Sequence, residues 1–229
     1  MELSTRQELF EYYNERAPEY EDFYWGDSPP RLFSPDVYKN DTMTIRELLP
    51  GYVKGKCLDI ACGTGFWLPV YEKNCTAITL IDQSAGVLAE CRKKIKSLGI
   101  EGKTRLIRDE VFGYTFKTGE FDSALIGFLV SHLNDNELYT LFNLLRKWLA
   151  PGGRFVIIDS AWNDELIKMG RSKTGMINRS LKDGREFEIY KRYFNEYDLR
   201  ELAKIFSLSI DIEYWGKVFF LADGSFHDN

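Results

Sequence analysis

Residues 56–67 read Lys56-Cys57-Leu58-Asp59-Ile60-Ala61-Cys62-Gly63-Thr64-Gly65-Phe66-Trp67. The run Cys57-Leu58-Asp59-Ile60 has the apolar character of a short buried strand. It breaks into Ala61-Cys62-Gly63-Thr64-Gly65, where little side chain stands between the backbone and a ligand. Phe66-Trp67-Leu68 then offers a helix opening. A strand, a glycine turn and a helix N-terminus form the layout of a nucleotide-type site in an open parallel sheet.

Working outward, apolar runs and helical patterns alternate. Strands are expected at 77–82, 105–108, 121–127 and 154–159. Helices are expected at 36–49, ended by Pro50-Gly51, at 84–98, closed by Gly99, and at 135–149. Strands separated by helices of this length imply right-handed crossovers and a parallel sheet. Beyond Asp159 the pattern changes. Lys182-Asp183-Gly184 marks a hairpin, Asn195 caps a helix through Phe206, and strands 208–214 and 217–222 pair antiparallel across Trp215-Gly216. The aromatic N-terminus (Tyr12, Tyr13, Tyr20, Phe23, Tyr24, Trp25) carries a helix to about Arg16, interrupted at Ala17-Pro18, then a loop at Gly26-Asp27-Ser28-Pro29-Pro30.

Composition bounds the class. The 229 residues hold 44% hydrophobic and 28% charged side chains, ordinary globular values for a chain that buries a sizeable core. No apolar run approaches about 18 residues, so no membrane span is expected. Met1-Glu2-Leu3-Ser4-Thr5-Arg6 lacks the marks of a signal peptide, and Cys57, Cys62, Cys75 and Cys91 form no C-x-x-C pair. A cytoplasmic chain with reduced thiols and no metal site is the expectation. A net charge of −5 speaks against nucleic acid as partner, and Arg92-Lys93-Lys94-Ile95-Lys96 reads as a solvated helix face.

The glycine turn discriminates among ligands. A dinucleotide fingerprint needs a third glycine where this chain has Leu68, and a phosphate loop needs a Gly-Lys-Ser/Thr triplet that does not follow. S-adenosylmethionine carries no phosphate. It asks for a tight turn, a carboxylate for its ribose and a slot for adenine. Asp59 with the 61–65 turn, Asp82 at a strand end and Asp109 supply these in order. Asp82 stands 17 residues past Gly65 (82 − 65); its alternative reading is a cap for the next helix.

These residues resemble class I S-adenosylmethionine-dependent methyltransferases. Leu58-Asp59-Ile60-Ala61-Cys62-Gly63-Thr64-Gly65 is similar to their first motif, with Ala61 where glycine is common. Ile81-Asp82-Gln83-Ser84, Arg108-Asp109-Glu110 and Leu149-Ala150-Pro151-Gly152-Gly153 resemble three later ones, so the likeness covers 56–159. It implies a Rossmann-like α/β methyltransferase fold: a seven-stranded, mostly parallel sheet with a reversed last strand, three layers and an N-terminal helical lid. It implies a single domain over 1–229, with the lid at 1–50, a cofactor-binding core at 56–159, an inserted hairpin at 160–193, and a closing helix and antiparallel strands at 194–222.

The resemblance also assigns roles. Ala61, Gly63 and Gly65 pass the methionine end of S-adenosylmethionine, and Asp59 orders the turn or reaches the amino group. Asp82 holds the ribose, Gln83 lies against adenine, Asp109 accepts from its amine with Glu110 nearby, and Gly127-Phe128 lines the methyl. Tyr20 belongs to a stretch similar to the lid of small-molecule methyltransferases, where tyrosines reach the sulfonium. His132, after the fourth strand, is the candidate general base; packing or helix capping is its other reading. His227 falls in a polar tail expected to be unstructured. A DNA-amino motif is absent after the fourth strand, where Gly127-Phe128-Leu129-Val130 stands, so a small-molecule acceptor is expected. The assembly is a monomer or homodimer, and the 176–193 hairpin covers the acceptor or pairs subunits. The competing function is a cofactor-binding sensor or partner subunit without transfer.

Overall fold

The computed structural model describes residues 3–28 and 32–227. Pro29 and Pro30 of the expected loop lie outside them. The chain begins with helices α1 (Leu3–Glu15), α2 (Asp22–Trp25) and α3 (Pro35–Leu48). Then β1 (Gly55–Ile60), α4 (Leu68–Tyr71), β2 (Cys75–Asp82), α5 (Ala85–Leu98), β3 (Thr104–Arg108), β4 (Phe121–Gly127), α6 (Asp135–Trp148) and β5 (Leu149–Ser160) alternate. The remainder holds α7 (Asp164–Lys168), β6 (Thr174–Ser180), β7 (Glu186–Arg192), α8 (Glu196–Phe206), β8 (Leu208–Trp215) and β9 (Phe219–Phe226).

Seven strands form one sheet in the order β3-β2-β1-β4-β5-β9-β8, and β6 with β7 makes a separate two-stranded sheet. The first five strands run parallel; β9 joins β5 antiparallel. Strand alternation divides the core between two faces. Leu58, Ile60, Ile126 and Ile157 pack with α6 and α8, whereas Cys57, Leu80, Leu125 and Ile158 pack with α3 and α5. The expected three-layer α/β architecture is therefore present. Among the described residues no helix is long and apolar enough to cross a membrane.

Several boundaries differ from expectation for local reasons. The helix opening at Phe66 yields only the one-turn α4, followed by a 3-10 turn at Glu72–Asn74. β5 begins at Leu149, because a register shift against β4 absorbs the Pro-Gly-Gly turn, with Gly152 at φ 74°. β9 runs four residues past the expected Ala222 (226 − 222) and carries the chain into an ordered end. His227 donates its N–H to the Ser207 carbonyl at 3.3 Å, and its ring meets Ser209 Oγ at 2.9 Å. The expectation of an unstructured histidine is corrected: β8–β9 pairing continues to that end.

The N-terminal segment is tied down over the C-terminal strand ends. Asn14 Oδ1 accepts from Gly86 N–H at 3.0 Å and meets Ser84 Oγ at 3.1 Å, fixing α1 to the start of α5. The β6–β7 hairpin lies on α1, where Tyr12 packs with Leu181, Ile189 and Phe187.

Candidate functional site

A cleft of about 890 Å³, open to solvent, lies at the C-terminal ends of β1, β2 and β4, the expected place in a parallel sheet. Its floor is the turn after β1. Ala61 (φ 53°), Gly63 (φ 55°) and Gly65 (φ 70°) adopt the left-handed conformation there. Glycine gives the closest fit at 63, since a Cβ would stand 3.1 Å from the Tyr20 ring that covers it.

Asp82 locks this turn. Its Oδ2 accepts from Gly63 N–H at 3.0 Å and its Oδ1 from Ser84 N–H at 2.9 Å. A carboxylate offers about four lone-pair positions, so two bonds leave acceptor capacity toward the cleft. Burial raises the Asp82 pKa against these backbone bonds, which lower it. The main chain also links Asp109 to Asp82, through Asp109 N–H to the Asp82 carbonyl at 3.1 Å. Asp109 Oδ1 caps Glu110 N–H at 2.8 Å, and Glu110 pairs with Arg6 of α1 at 2.8 Å.

On the opposite wall Phe128 sits at φ 55°, its N–H donating to the Ile158 carbonyl at 2.7 Å. Buried His132 bridges two elements. Nδ1 lies 2.8 Å from the Tyr190 carbonyl, and Nε2 lies 2.8 Å from Tyr13 Oη. A carbonyl only accepts, so we assign the ring proton to Nδ1, and Tyr13 Oη–H donates to Nε2. Burial, then the Lys191 charge, holds the His132 pKa well below its ordinary value, so the ring is neutral at pH 7.

The structure thus brings ten of the expected residues to one cleft: Tyr20, Ala61 and Gly63 at the turn, Asp82, Gln83, Asp109 and Glu110 along one side, and Gly127, Phe128 and His132 on the other. Asp59 and Gly65 are not among the lining residues. Asp59 is buried behind the wall, accepting from Tyr71 Oη at 2.6 Å; burial lifts its pKa to about 7, opposed by that bond and assisted by Asp82. Gly65 serves packing instead, since a Cβ there would approach Cys91 Sγ to 2.9 Å.

Residues missed from the sequence lie between the loop after β4 and the hairpin. Asp159, at the tip of β5, accepts from Ser131 N–H at 3.0 Å and Ser160 N–H at 2.7 Å. Lys191 Nζ reaches Ser131 Oγ at 2.6 Å and Asp159 Oδ1 at 3.4 Å. Burial pushes Lys191 down to about 8, with Asp159 opposing. A strand-end acid and a lysine two residues beyond buried Ile189 were the available signals.

Comparison with known proteins agrees with this geometry. Residues 57–153 match the family model described as Methyltransferase domain. A phosphatidylethanolamine N-methyltransferase of Cereibacter sphaeroides is 30% identical over 111 residues, covering 48% of this chain and 53% of that protein. The match thus spans about half the length of that curated relative. A solved structure described as a DhpI-SAM-HEP complex superposes with a TM-score of 0.80 at 22% identity, covering 98% of this chain and 99% of the other. The 1,6-didemethyltoxoflavin-N1-methyltransferase of Burkholderia thailandensis, solved with its namesake compound and S-adenosylhomocysteine, gives 0.65 at 16% identity, covering 97% and 89%. At these identities the structural likeness is one of fold. The family match, over residues 57–153, falls on the same motifs that resemble the class I S-adenosylmethionine-dependent methyltransferases.

Proposed function

We propose that this protein holds S-adenosylmethionine in the strand-end cleft and catalyses methyl transfer to a small-molecule acceptor, at oxygen, nitrogen or carbon. The observation that carries the reading is the turn locked by Asp82. One carboxylate both fixes the left-handed turn at Gly63 and keeps acceptor capacity toward the cleft where a ribose would lie. The lining residues suit the group: carboxylates at two strand ends, a floor of Ala61 and Gly63, and aromatic cover from Tyr20.

Bound there, S-adenosylmethionine supplies a methyl group activated by its sulfonium, open to in-line displacement. The chain's own contribution is position and dryness, and orientation alone is worth about 7–11 kcal/mol. Asp82 and Asp109 hold the ribose and adenine ends. Tyr20 and the buried Phe128 exclude water near the reacting atoms. Where the acceptor must lose a proton, Tyr13 Oη is the group to take it while passing its own to His132 Nε2. Such transfer typically contributes 10²–10⁴-fold. His132 would then be the base acting through a tyrosine.

In this reading residues 1–50 act as a lid, 56–159 hold the cofactor, and the hairpin within 160–193 closes the acceptor side. The net charge of −5 favours a small-molecule acceptor over nucleic acid. The relatives' names specify different acceptors, so acceptor choice rests with this chain's own residues. The test is turnover: radiolabelled S-adenosylmethionine, an acceptor panel, and detection of both labelled product and S-adenosylhomocysteine. Turnover lost in His132→Ala with cofactor affinity intact supports the assignment. A chain that binds S-adenosylmethionine yet methylates no acceptor would instead be a sensor or partner subunit.

A further inference from the structure

Beside the cleft lies a second hollow, about 360 Å³ with the space it opens to solvent, which shares Tyr13, Tyr20, Phe128 and His132 with it. Three cationic side chains line it, Arg16, Arg179 and Lys191, and no Asp or Glu does among the described residues. In a chain of net charge −5 this is a local excess of the opposite sign.

The cations are poorly compensated. Arg16 is only 7% exposed, and among the described residues its hydrogen-bond partners are neutral: Tyr12 Oη at 2.7 Å and Ser28 Oγ at 3.0 Å. Its guanidinium also lies 5.4 Å from the Tyr12 ring centre, 5.7 Å from Tyr20 and 5.4 Å from Phe23. Such contacts offset only part of what removing an ion from water costs. The Arg179 side chain makes no hydrogen bond or ion pair among the described residues, its backbone pairing with β7. Lys191, 3% exposed, faces Asp159 at 3.4 Å, but that carboxylate already accepts two backbone N–H groups. Among the described residues the Arg16 and Arg179 side chains have no carboxylate partner. A fold that gathers two buried cations, Arg16 and Lys191, and the half-buried Arg179 beside a cleft is suited to an anionic ligand.

We propose that this cavity is the acceptor subsite, and that the acceptor carries an oxyanion, a carboxylate or a phosphoryl-type group, bound by Arg16, Arg179 and Lys191. The inference rests on the methyltransferase reading for the word acceptor, and on the cavity itself for the anion. Two guanidinium forks and an ammonium supply planar and point-charge donors suited to either oxyanion. Aromatic walls from Tyr24 and Phe23 raise the strength of those contacts by keeping water out. The anionic group anchored here would leave the rest of the acceptor facing Tyr13 and His132, the residues common to both cavities.

The test uses the full chain saturated with S-adenosylhomocysteine, whose binding is measured first. Inorganic phosphate, acetate and uncharged acetamide are then titrated at constant ionic strength while the arginine Nε–H NMR signals are followed. Phosphate or acetate should shift the Arg16 and Arg179 signals saturably, and acetamide should not. Tighter phosphate assigns a phosphoryl-type acceptor; tighter acetate assigns a carboxylate. Arg179→Gln should weaken the anion about tenfold or more, and Arg179→Lys should recover part of that loss. Both variants should keep S-adenosylhomocysteine affinity within about twofold. If S-adenosylhomocysteine binds and neither anion does, or if Arg179→Gln leaves anion affinity unchanged, the proposal is wrong. Absent S-adenosylhomocysteine binding would instead overturn the methyltransferase reading beneath it.

Discussion

The two cavities that meet at Tyr13, Tyr20, Phe128 and His132 differ in how they are made. The strand-end cleft is built largely from main chain: Gly63, Ser84 and Glu110 N–H groups, all at strand ends, fix its carboxylates. The cationic cavity is built from side chains far apart in sequence. Tyr13 and His132 are 119 positions apart, His132 and Tyr190 58, and Ser131 and Lys191 60. One region faces its ligand with carboxylates and the other with cations. A class-wide fold can supply the first through topology, whereas the second depends on which residues the N-terminal helix and the hairpin carry.

That contrast can be broken at chosen points. Asp159 carries the carboxylate that faces buried Lys191, so Asp159→Ala should cost about 3–5 kcal/mol of stability, the usual penalty for orphaning a buried ion-pair partner. Denaturant midpoints of wild type and variant decide it; a loss under about 1 kcal/mol would mean Lys191 needs no partner.

Behind the cleft, Asp59 makes a pH-dependent contribution. Its folded pKa, raised to about 7, lies above the unfolded value, so the native state holds the proton more tightly. The resulting stabilisation is full below about pH 4 and fades as pH rises toward 7. Asp59→Asn keeps an acceptor for Tyr71 and should abolish that slope, a difference of about 4 kcal/mol between pH 4 and 8. Unfolding measured across this range should show wild type and variant diverging; parallel curves would contradict the buried proton.

At the cleft floor, Gly63→Val meets both a left-handed φ and the Tyr20 ring. Strain of about 1–3 kcal/mol predicts a loss of roughly 10–100-fold in S-adenosylhomocysteine affinity. At the junction, Tyr13→Phe should lower turnover about 100-fold or more for an acceptor that must lose a proton, while cofactor affinity stays within about twofold, since only the hydroxyl given to His132 is lost. Equal losses in both would place Tyr13 in the cofactor wall alone.

Legibility in the sequence follows the same division. The order strand, glycine turn, strand-end acid is local, and it identified Gly63, Asp82 and Asp109 together with the alternation that makes the sheet. Asp59 and Gly65 share that motif but serve the layer behind it, because alternate strand residues point away from the ligand and a turn glycine can answer to a helix. Arg16 marked only the end of an aromatic helix, and Lys191 carried no assigned role in the hairpin. Their meaning arises only when α1 and β7 fold over His132. Spacing rules do not reach across such separations.

The central claim is that the Asp82-locked turn holds S-adenosylmethionine. Calorimetric titration of S-adenosylhomocysteine into wild type and Asp82→Ala tests it most directly, with folding of the variant checked by circular dichroism. The account predicts micromolar-range binding by wild type and a loss of about 100-fold or more in the folded variant. Folded wild-type protein that binds neither S-adenosylhomocysteine nor S-adenosylmethionine, or a folded variant that binds as well as wild type, would contradict it.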